Sequence, residues 1–221
     1  MLDLTIVIPQ RGRTELTLSC LESLRAKEEE QWPVVVVDDG SSTEEIQRFQ
    51  ELKPSGVRLI TQQPRGVTSA WNLGVTQVST EMVLFLNNDV LFRDASIEGF
   101  LKPLRDNTAR ITGVKYRQGS LPVLEGWAFA CRTSYFYQVG GFDSQFELYY
   151  SDTDFQLRIL EEFGAGSLQV GETICLQHLG HQTAHREVGH RAIWRRDRAL
   201  FRQKWSGREQ SEVDAAVIAS L

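Results

Sequence analysis

Four short β-rich runs, at 4–8, 34–37, 57–61 and 82–86, are separated by segments of helical periodicity, and this alternation constrains the fold more than any other feature. A short, continuous apolar run bounded by turn residues is the pattern of a strand covered on both faces. Strands that alternate with helices pair in parallel through right-handed crossovers. The first strand is expected to stop at Pro9. Thr14 is placed to cap the first helix, which carries Leu16, Cys20, Leu21 and Leu24 on one face. Ser42-Thr43-Glu44-Glu45 is a capping-box pattern opening a second helix that presents Ile46, Phe49 and Leu52, and a third is predicted over 67–78.

Beyond residue 94 the pattern loosens. A helix over 95–105 and a strand over 111–116 precede a Gly- and Pro-punctuated stretch, then a strand over 127–131. Asp152 or Thr153 starts a helix whose Phe155, Ile159, Leu160 and Phe163 share a face, ended by Gly164 and Gly166. A last helix within 187–205 is rich in arginine. At 221 residues the chain fits one sizeable α/β core, and the change near 87–94 divides two halves of it.

The strand ends carry the chemistry. Val34-Val35-Val36-Val37 runs into Asp38-Asp39-Gly40-Ser41-Ser42, and Met82-Val83-Leu84-Phe85-Leu86 into Asn87-Asn88-Asp89. Ligands of open α/β sheets bind at the carboxyl ends of strands, so these side chains can converge on one crevice. A carboxylate such as Asp89 can bind Mg2+ or Mn2+, hard cations that leave positions open for substrate phosphates. The plain alternative is that Asn and Asp serve there as turn residues. Asp152 and Asp154, at a helix start, are candidates for a general base or for simple caps. His178 and His181 follow a predicted strand and are candidates to add an imidazole to a metal at Asp89, or are ordinary surface or core histidines.

Several classes are disfavoured. The net charge of −5 gives no footprint for nucleic acid. Cys20, Cys131 and Cys175 are odd in number and far apart, which suggests neither a disulfide framework nor a cysteine zinc site and fits a reducing cytoplasm. The first residues read as a strand rather than a signal peptide, and no run reaches the length of a membrane span. Pro9-Gln10-Arg11-Gly12-Arg13 lacks the spaced glycines of a dinucleotide site or nucleotidyltransferase loop, and the chain has no GxxxxGK[ST].

Taken in order, the segments resemble the GT-A glycosyltransferases, specifically the inverting family 2 group and its rhamnosyltransferase-like members. The resemblance runs from Leu4 to about Trp205 and rests on several motifs. These are the strand ending at Pro9, Asp38-Asp39-Gly40-Ser41, Arg65-Gly66 with Asn72-Leu73-Gly74, and Asn87-Asn88-Asp89. Gly140-Gly141-Phe142-Asp143, Asp152-Thr153-Asp154 with Arg158, His178 and a late helix ending in Lys204-Trp205 complete them. It implies one GT-A domain over 1–205, with a nucleotide-sugar half (1–94), an acceptor half (95–205) and a tail (206–221).

The resemblance also implies roles. Asp38 or Asp39 contacts the base or ribose, Asp89 and His178 hold a divalent cation (Mn2+ or Mg2+), and Asp152 is the catalytic base. Pro9, Arg65, Asn72, Asn87, Asn88 and Trp127 belong to the nucleotide-sugar site, and the Gly126-Trp127 and 140–143 segments line the sugar and acceptor pocket. The partners implied are a nucleotide-diphosphate sugar and a glycan or lipid-linked acceptor. Three positions depart from the family pattern. Gln10 to Arg13 replace the usual Thr-Tyr-Asn turn, Ser151 replaces the Glu before the base, leaving a helper role to Asp154 if it persists, and Asn87 stands where Asp is common. These departures motivate a second reading, a non-catalytic binding or scaffold protein of the same fold. The late helix interleaves Arg186, Arg191, Arg195, Arg196, Arg198, Arg202, Lys204 and Arg208 with Trp194, Phe201 and Trp205. Such a helix suits peripheral contact with an anionic membrane, or simple packing with solvated arginines.

Overall fold

The computed structural model describes residues 3–117, 122–180 and 189–206. The first half alternates as the sequence pattern requires: β1 (Leu4–Gln10), α1 (Thr14–Lys27), β2 (Val34–Asp39), α2 (Thr43–Leu52), β3 (Val57–Gln62), α3 (Val67–Val75) and β4 (Met82–Leu86). These four strands pair in parallel in the order β3-β2-β1-β4. The second half contributes β5 (Val90–Phe92), α4 (Ile97–Arg105), β6 (Ile111–Gly113), β7 (Ala128–Arg132), α5 (Thr133–Gln138), α6 (Ser151–Phe163), β8 (Leu168–Val170), β9 (Leu176–His178) and α7 (His190–Trp205). β7 joins β4 antiparallel, and β6 and β8 extend the sheet to seven strands. The result is an α/β domain around a mostly parallel sheet with helices on both faces.

Two-residue periodicity sorts the core. Leu4, Ile6, Ile8, Val34, Val36, Leu84 and Leu86 point to one face with residues of α1 and α4. Their neighbours Val7, Val83, Phe85, Phe129 and Cys131 point to the other, with residues of α3, α5, α6 and α7. Both faces are therefore apolar, which is why the strands read as unbroken hydrophobic runs.

The strand order turns between β1 and β4: the chain passes from β1 to β2 on one side and returns with β4 on the other. The carboxyl ends flanking that point form the crevice where such sheets bind ligands. Because β7 is antiparallel to β4 with Leu86 opposite Ala128, the start of β7 is brought to the same edge. A separate two-stranded ribbon pairs Val90 of β5 with His178 of β9, which carries the histidine to the end of β4.

Several expectations need correction. β1 runs through Pro9 to Gln10. Ile6 donates its N–H toward β2, to Pro33, so by alternation Pro9 would direct an N–H toward β4, whose pairing with β1 has already ended at Val7. No ladder bond is lost there. Thr14 is not a cap. Arg13 occupies that position in the left-handed region, and Thr14 donates its N–H to Glu45 Oε2 (3.0 Å) and its hydroxyl to the Glu45 carbonyl (3.2 Å). The capping box at α2 is accordingly half-formed: Ser42 Oγ accepts from the Glu45 N–H, while the Glu45 carboxylate is spent on α1. Leu52 is 57% exposed rather than buried, and Leu16 is only half-buried. α3 ends at Val75, and the 111–116 strand shrinks to β6 plus a single bridge between Tyr116 and Leu124. α5 was not foreseen.

His181, Arg186, Glu187 and Arg208, and the tail from 207 onward, lie outside the described residues. No helix among the described residues is long and apolar enough to cross a membrane. The three cysteines are free thiols, and burial, aided by the Asp89 charge, pushes the Cys20 thiol up to about 12.

Candidate active site

A cavity of about 720 Å3 opens at the turning point of the sheet. Pro9, Gln10 and Arg11 reach it from the end of β1, Asp39 from β2, and Asn87, Asn88 and Asp89 from β4. Trp127, Asp152 and His178 close the opposite side.

The two adjacent carboxylates of β2 divide their work. Asp38 is wholly buried and organises the neighbouring turn: Oδ2 accepts from Gln10 Nε2 (3.0 Å) and Ser41 Oγ (2.5 Å), and Oδ1 from the Ser41 N–H (2.8 Å). Ser41 Oγ in turn accepts the Gly12 N–H (2.6 Å), so the unusual Gln10 to Arg13 turn is tied to β2. Asp39 lines the cavity and orders its other rim, accepting from Gln62 Nε2 and from the N–H groups of Arg65 and Gly66 at 2.7–2.8 Å. Gly66 is required there: its φ is +88°, and a Cβ would lie 2.3 Å from the Glu147 carbonyl oxygen.

The Arg65 side chain is exposed and does not line the cavity. Asn72 also stands back from it, bracketing Phe142 by donating Nδ2 to its carbonyl (2.9 Å) and accepting its N–H (3.0 Å). That bracket explains a further correction. The 140–143 segment is not part of the lining: Phe142 is buried among Trp71, Phe85 and Phe155, and Asp143 pairs with Lys204.

On the far side of the crevice, Asp89 Oδ1 lies 3.1 Å from His178 Nε2, and the Asp89 carbonyl accepts the Leu179 N–H. The His178 ring stacks on Trp127 at 5.0 Å with 15° between planes, and the Trp127 carbonyl accepts the Asn87 N–H. Asn88 donates Nδ2 to Thr17 Oγ1 (3.1 Å), fixing the turn to α1. Among the described residues no group of three or more His, Cys, Asp or Glu side chains converges. One carboxylate and one imidazole nonetheless fit Mn2+ or Mg2+, cations that take the rest of their shell from phosphate oxygens and water.

Asp152 stands in the first turn of α6, whose cap is Tyr150, in the left-handed region, with no side-chain bond. Neither Asp152 nor Asp154 is a cap. Asp152 reaches the cavity, its Oδ2 held by Arg117 Nη2. Asp154 turns inward, is fully buried, and takes Arg158 Nε (2.9 Å), Lys204 Nζ (2.7 Å) and Trp205 Nε1 (3.1 Å). A helper role for Asp154 in the chemistry is thereby ruled out by its position.

Gly126 fits against Asp152 so closely that a Cβ would sit 2.0 Å from Oδ2 and 2.5 Å from Cγ. The Gly126→Ala variant is therefore expected to push the carboxylate out of place. Overpacking of this kind removes about 1–3 kcal/mol of stability, which the urea midpoint of the variant checks.

Some of the site was invisible in the sequence. Arg117, Lys115 and Glu125 line the cavity from a stretch with no recognisable pattern. Asp197, a single acid in a basic helix, is fully buried and accepts the N–H groups of Glu147, Leu148 and Tyr149 on Oδ2 at 2.9–3.1 Å, fixing the cavity wall to α7. Its isolation among arginines was the available signal. Burial first, and the Asp197 charge second, push the Tyr149 hydroxyl above its usual range.

The model of glycosyl transferase family 2 matches residues 5–167. An uncharacterized glycosyltransferase of Rickettsia bellii is 28% identical over 116 residues, 52% of this chain and 17% of that protein. A second, from Rickettsia felis, is 25% identical over 116 residues and 19% of its length, so the match spans under a fifth of either relative. Among solved structures, the mannosyltransferase PcManGT of Pyrobaculum calidifontis, in complex with GDP-Man and Mn2+, superposes with a TM-score of 0.65 at 16% identity, covering 98% of this chain and 78% of its own. TarS of S. aureus (residues 1–349) gives 0.67 at 14% identity, covering 96% and 67%. GalNAc-T7, with UDP, GalNAc and Mn2+, gives 0.67 at 12% identity, covering 80% and 44%. At these identities the likeness to the solved structures is one of fold.

Proposed function

This chain belongs to glycosyl transferase family 2 and has the GT-A fold, and on that premise we propose that it moves a sugar from a nucleotide-diphosphate donor to an acceptor hydroxyl with inversion, using Asp152 as base. The observation that carries the reading is that Asp152 and the Asp89–His178 pair line one cavity at the turning point of the sheet.

In this reading the nucleotide lies along Pro9 and Asp39, with Asp38, Arg65 and Asn72 shaping the rim from behind. Asn87, Asn88 and Trp127 orient the diphosphate and sugar. Asp89 and His178 hold Mn2+ or Mg2+, which when bound offsets the charge that develops on the leaving diphosphate. Asp152 takes the proton of the acceptor hydroxyl as its oxygen attacks the anomeric carbon from the face opposite the diphosphate. The new C–O bond forms as the anomeric C–O bond to phosphate breaks, its electron pair departing with the diphosphate. Residues 1–94 form the donor half and 95–205 the acceptor half.

The test is thermal stabilisation by UDP, dTDP, GDP and CDP, each with and without Mn2+, since a ligand of the folded state raises its melting temperature. One nucleotide is expected to stabilise in an Mn2+-dependent way, and Asp89→Ala is expected to abolish the Mn2+ increment while sparing the fold. No shift with any nucleotide would count against the donor site. Binding without turnover would favour the non-catalytic reading.

The acceptor is a glycan or a lipid-linked sugar, and α7 favours the second. Phe201 and Trp205 turn inward and are fully buried, so of its three aromatics Trp194 alone faces out, beside exposed Arg191, Arg195 and Arg202 and with Arg198 over its ring at 5.1 Å. Ile193 of the same helix lines the cavity. A basic face with one projecting indole, on a chain of net charge −5, suits an anionic membrane surface next to the site. Co-sedimentation with phosphatidylglycerol vesicles is expected at low salt and lost at about 0.5 M, where charges are screened within a few ångströms. Equal sedimentation with neutral vesicles, or none, would remove the membrane contact.

A further inference from the structure

Arg117 is held by backbone and side-chain hydrogen bonds although it stands in an irregular stretch. Its N–H donates to the Val123 carbonyl, the Glu125 N–H donates to the Lys115 carbonyl, and Tyr116 bridges to Leu124. This ribbon is stitched to α6 by the buried Gln156, which accepts the Leu124 N–H (2.7 Å) and donates to the Leu124 carbonyl (3.0 Å). One turn back along α6 is Asp152. The same ribbon ends in Gly126, so both groups that touch Asp152 Oδ2 come from it.

The Arg117 fork is used fully. Nη2 holds Asp152 Oδ2, Nη1 donates to Thr153 Oγ1 (2.8 Å), and Nε lies 4.0 Å from Glu125 Oε2. Two neighbouring residues of the first turn of α6 are thus gripped by one planar cation. Among the described residues no hydrogen bond is made to Asp152 Oδ1, and the side chain keeps 15% of its surface open.

We infer that Arg117 is a positioning residue for transfer: it clamps Asp152 through Oδ2 and leaves Oδ1 as the oxygen that receives the acceptor's proton. The inference rests on Asp152 being the base. In it, Gly126 blocks one swing of the carboxylate and Arg117 blocks the other, so the lone pairs of Oδ1 stay turned to the cavity. The electrostatics agree: the Asp152 charge, ahead of every other influence, pushes the Arg117 guanidinium above its usual range. Glu125 and Tyr150 are further titratable groups near Arg117.

Two variants and two readouts test this. The Asp152 carboxyl carbon can be titrated by NMR, assigned by its loss in Asp152→Asn. In Arg117→Gln its midpoint is expected to rise, because the cation in contact with the carboxylate is gone. Arg117→Lys restores the charge without the fork, so its midpoint is expected to return most of the way. The second readout is hydrolysis of UDP-glucose, dTDP-glucose, GDP-mannose or CDP-glucose, whichever carries the base selected by thermal shift, with water as acceptor. Arg117→Gln is expected to lower kcat at least tenfold with KM within about twofold, and to move the acid limb of the pH profile upward. Arg117→Lys is expected to recover only part of kcat.

An unshifted Asp152 midpoint in folded Arg117→Gln, or an unchanged kcat, overturns the inference. If Arg117→Gln fails to fold, an Arg117→Lys variant with wild-type kcat overturns it, because the fork would then be dispensable. Failure of the base reading looks different: Asp152→Asn would hydrolyse the donor at the wild-type rate, whatever Arg117 does. Where hydrolysis is too slow to follow, the titration alone decides whether the clamp exists.

Discussion

Asp152→Asn is expected to keep donor binding and lose transfer. The amide has the shape of the carboxylate, fits beside Gly126 and can still accept a hydrogen bond from Arg117, so the fold and the nucleotide side of the cavity are left intact. What it lacks is a basic oxygen. A positioned general base contributes about 10²–10⁴-fold, and kcat should fall by that factor while the melting-temperature shift with the preferred nucleotide stays as in the wild type. Transfer at the wild-type rate would remove Asp152 as the base and direct attention to Glu125, another carboxylate lining the cavity.

Asp154, two residues on, should behave in the opposite way. It lies on the inner side of α6, with Arg158, Lys204 and Trp205 all directed at one carboxylate that has no exposed surface. Arg158 also donates to the carbonyls of Val139 and Gly141, and Lys204 reaches Asp143, so this acid joins α6, α7 and the 139–143 segment. Asp154→Ala leaves two cations facing a vacated site. Removing one partner from a buried ionic cluster costs about 3–5 kcal/mol. Against a typical total of about 5–15 kcal/mol, that is enough to shift the urea midpoint strongly and to leave part of the chain unfolded near 37 °C. A midpoint within error of wild type would mean that α7 is not held by this cluster. Together the two variants separate chemistry from architecture within one helical turn.

The contrast between these acids also shows what a sequence reveals. Periodicity placed both in the first turn of one helix, but a helix start looks the same whether its acids face solvent, substrate or the core. Only the partners distinguish them: Arg117, 35 residues away, for Asp152, and for Asp154 residues 4 and 51 away. The parallel half was legible because its strands are buried on both faces and therefore consist of little else than apolar residues. β4 was read to the residue, while helix ends drifted where capping came from another element, as Glu45 does for α1. Arg117 was illegible for a related reason: its stretch has no periodicity, and its importance arises from Gln156 and Asp152 on a distant helix. The resemblance that named Asp152, Asp89 and His178 led to three residues that line one cavity, and in the case of Asn72 and the 140–143 segment to residues that brace it from outside.

The hold of Asp197 on the Glu147–Tyr149 backbone bears on how the protein is made. The family model ends at residue 167, after β7 and α6 and before β9 and α7. A nascent chain that stops there lacks His178, and its three neighbouring amide protons at 147–149 have no acceptor from α7. The wall of the cavity is therefore finished by a helix that lies beyond the segment the family model matches.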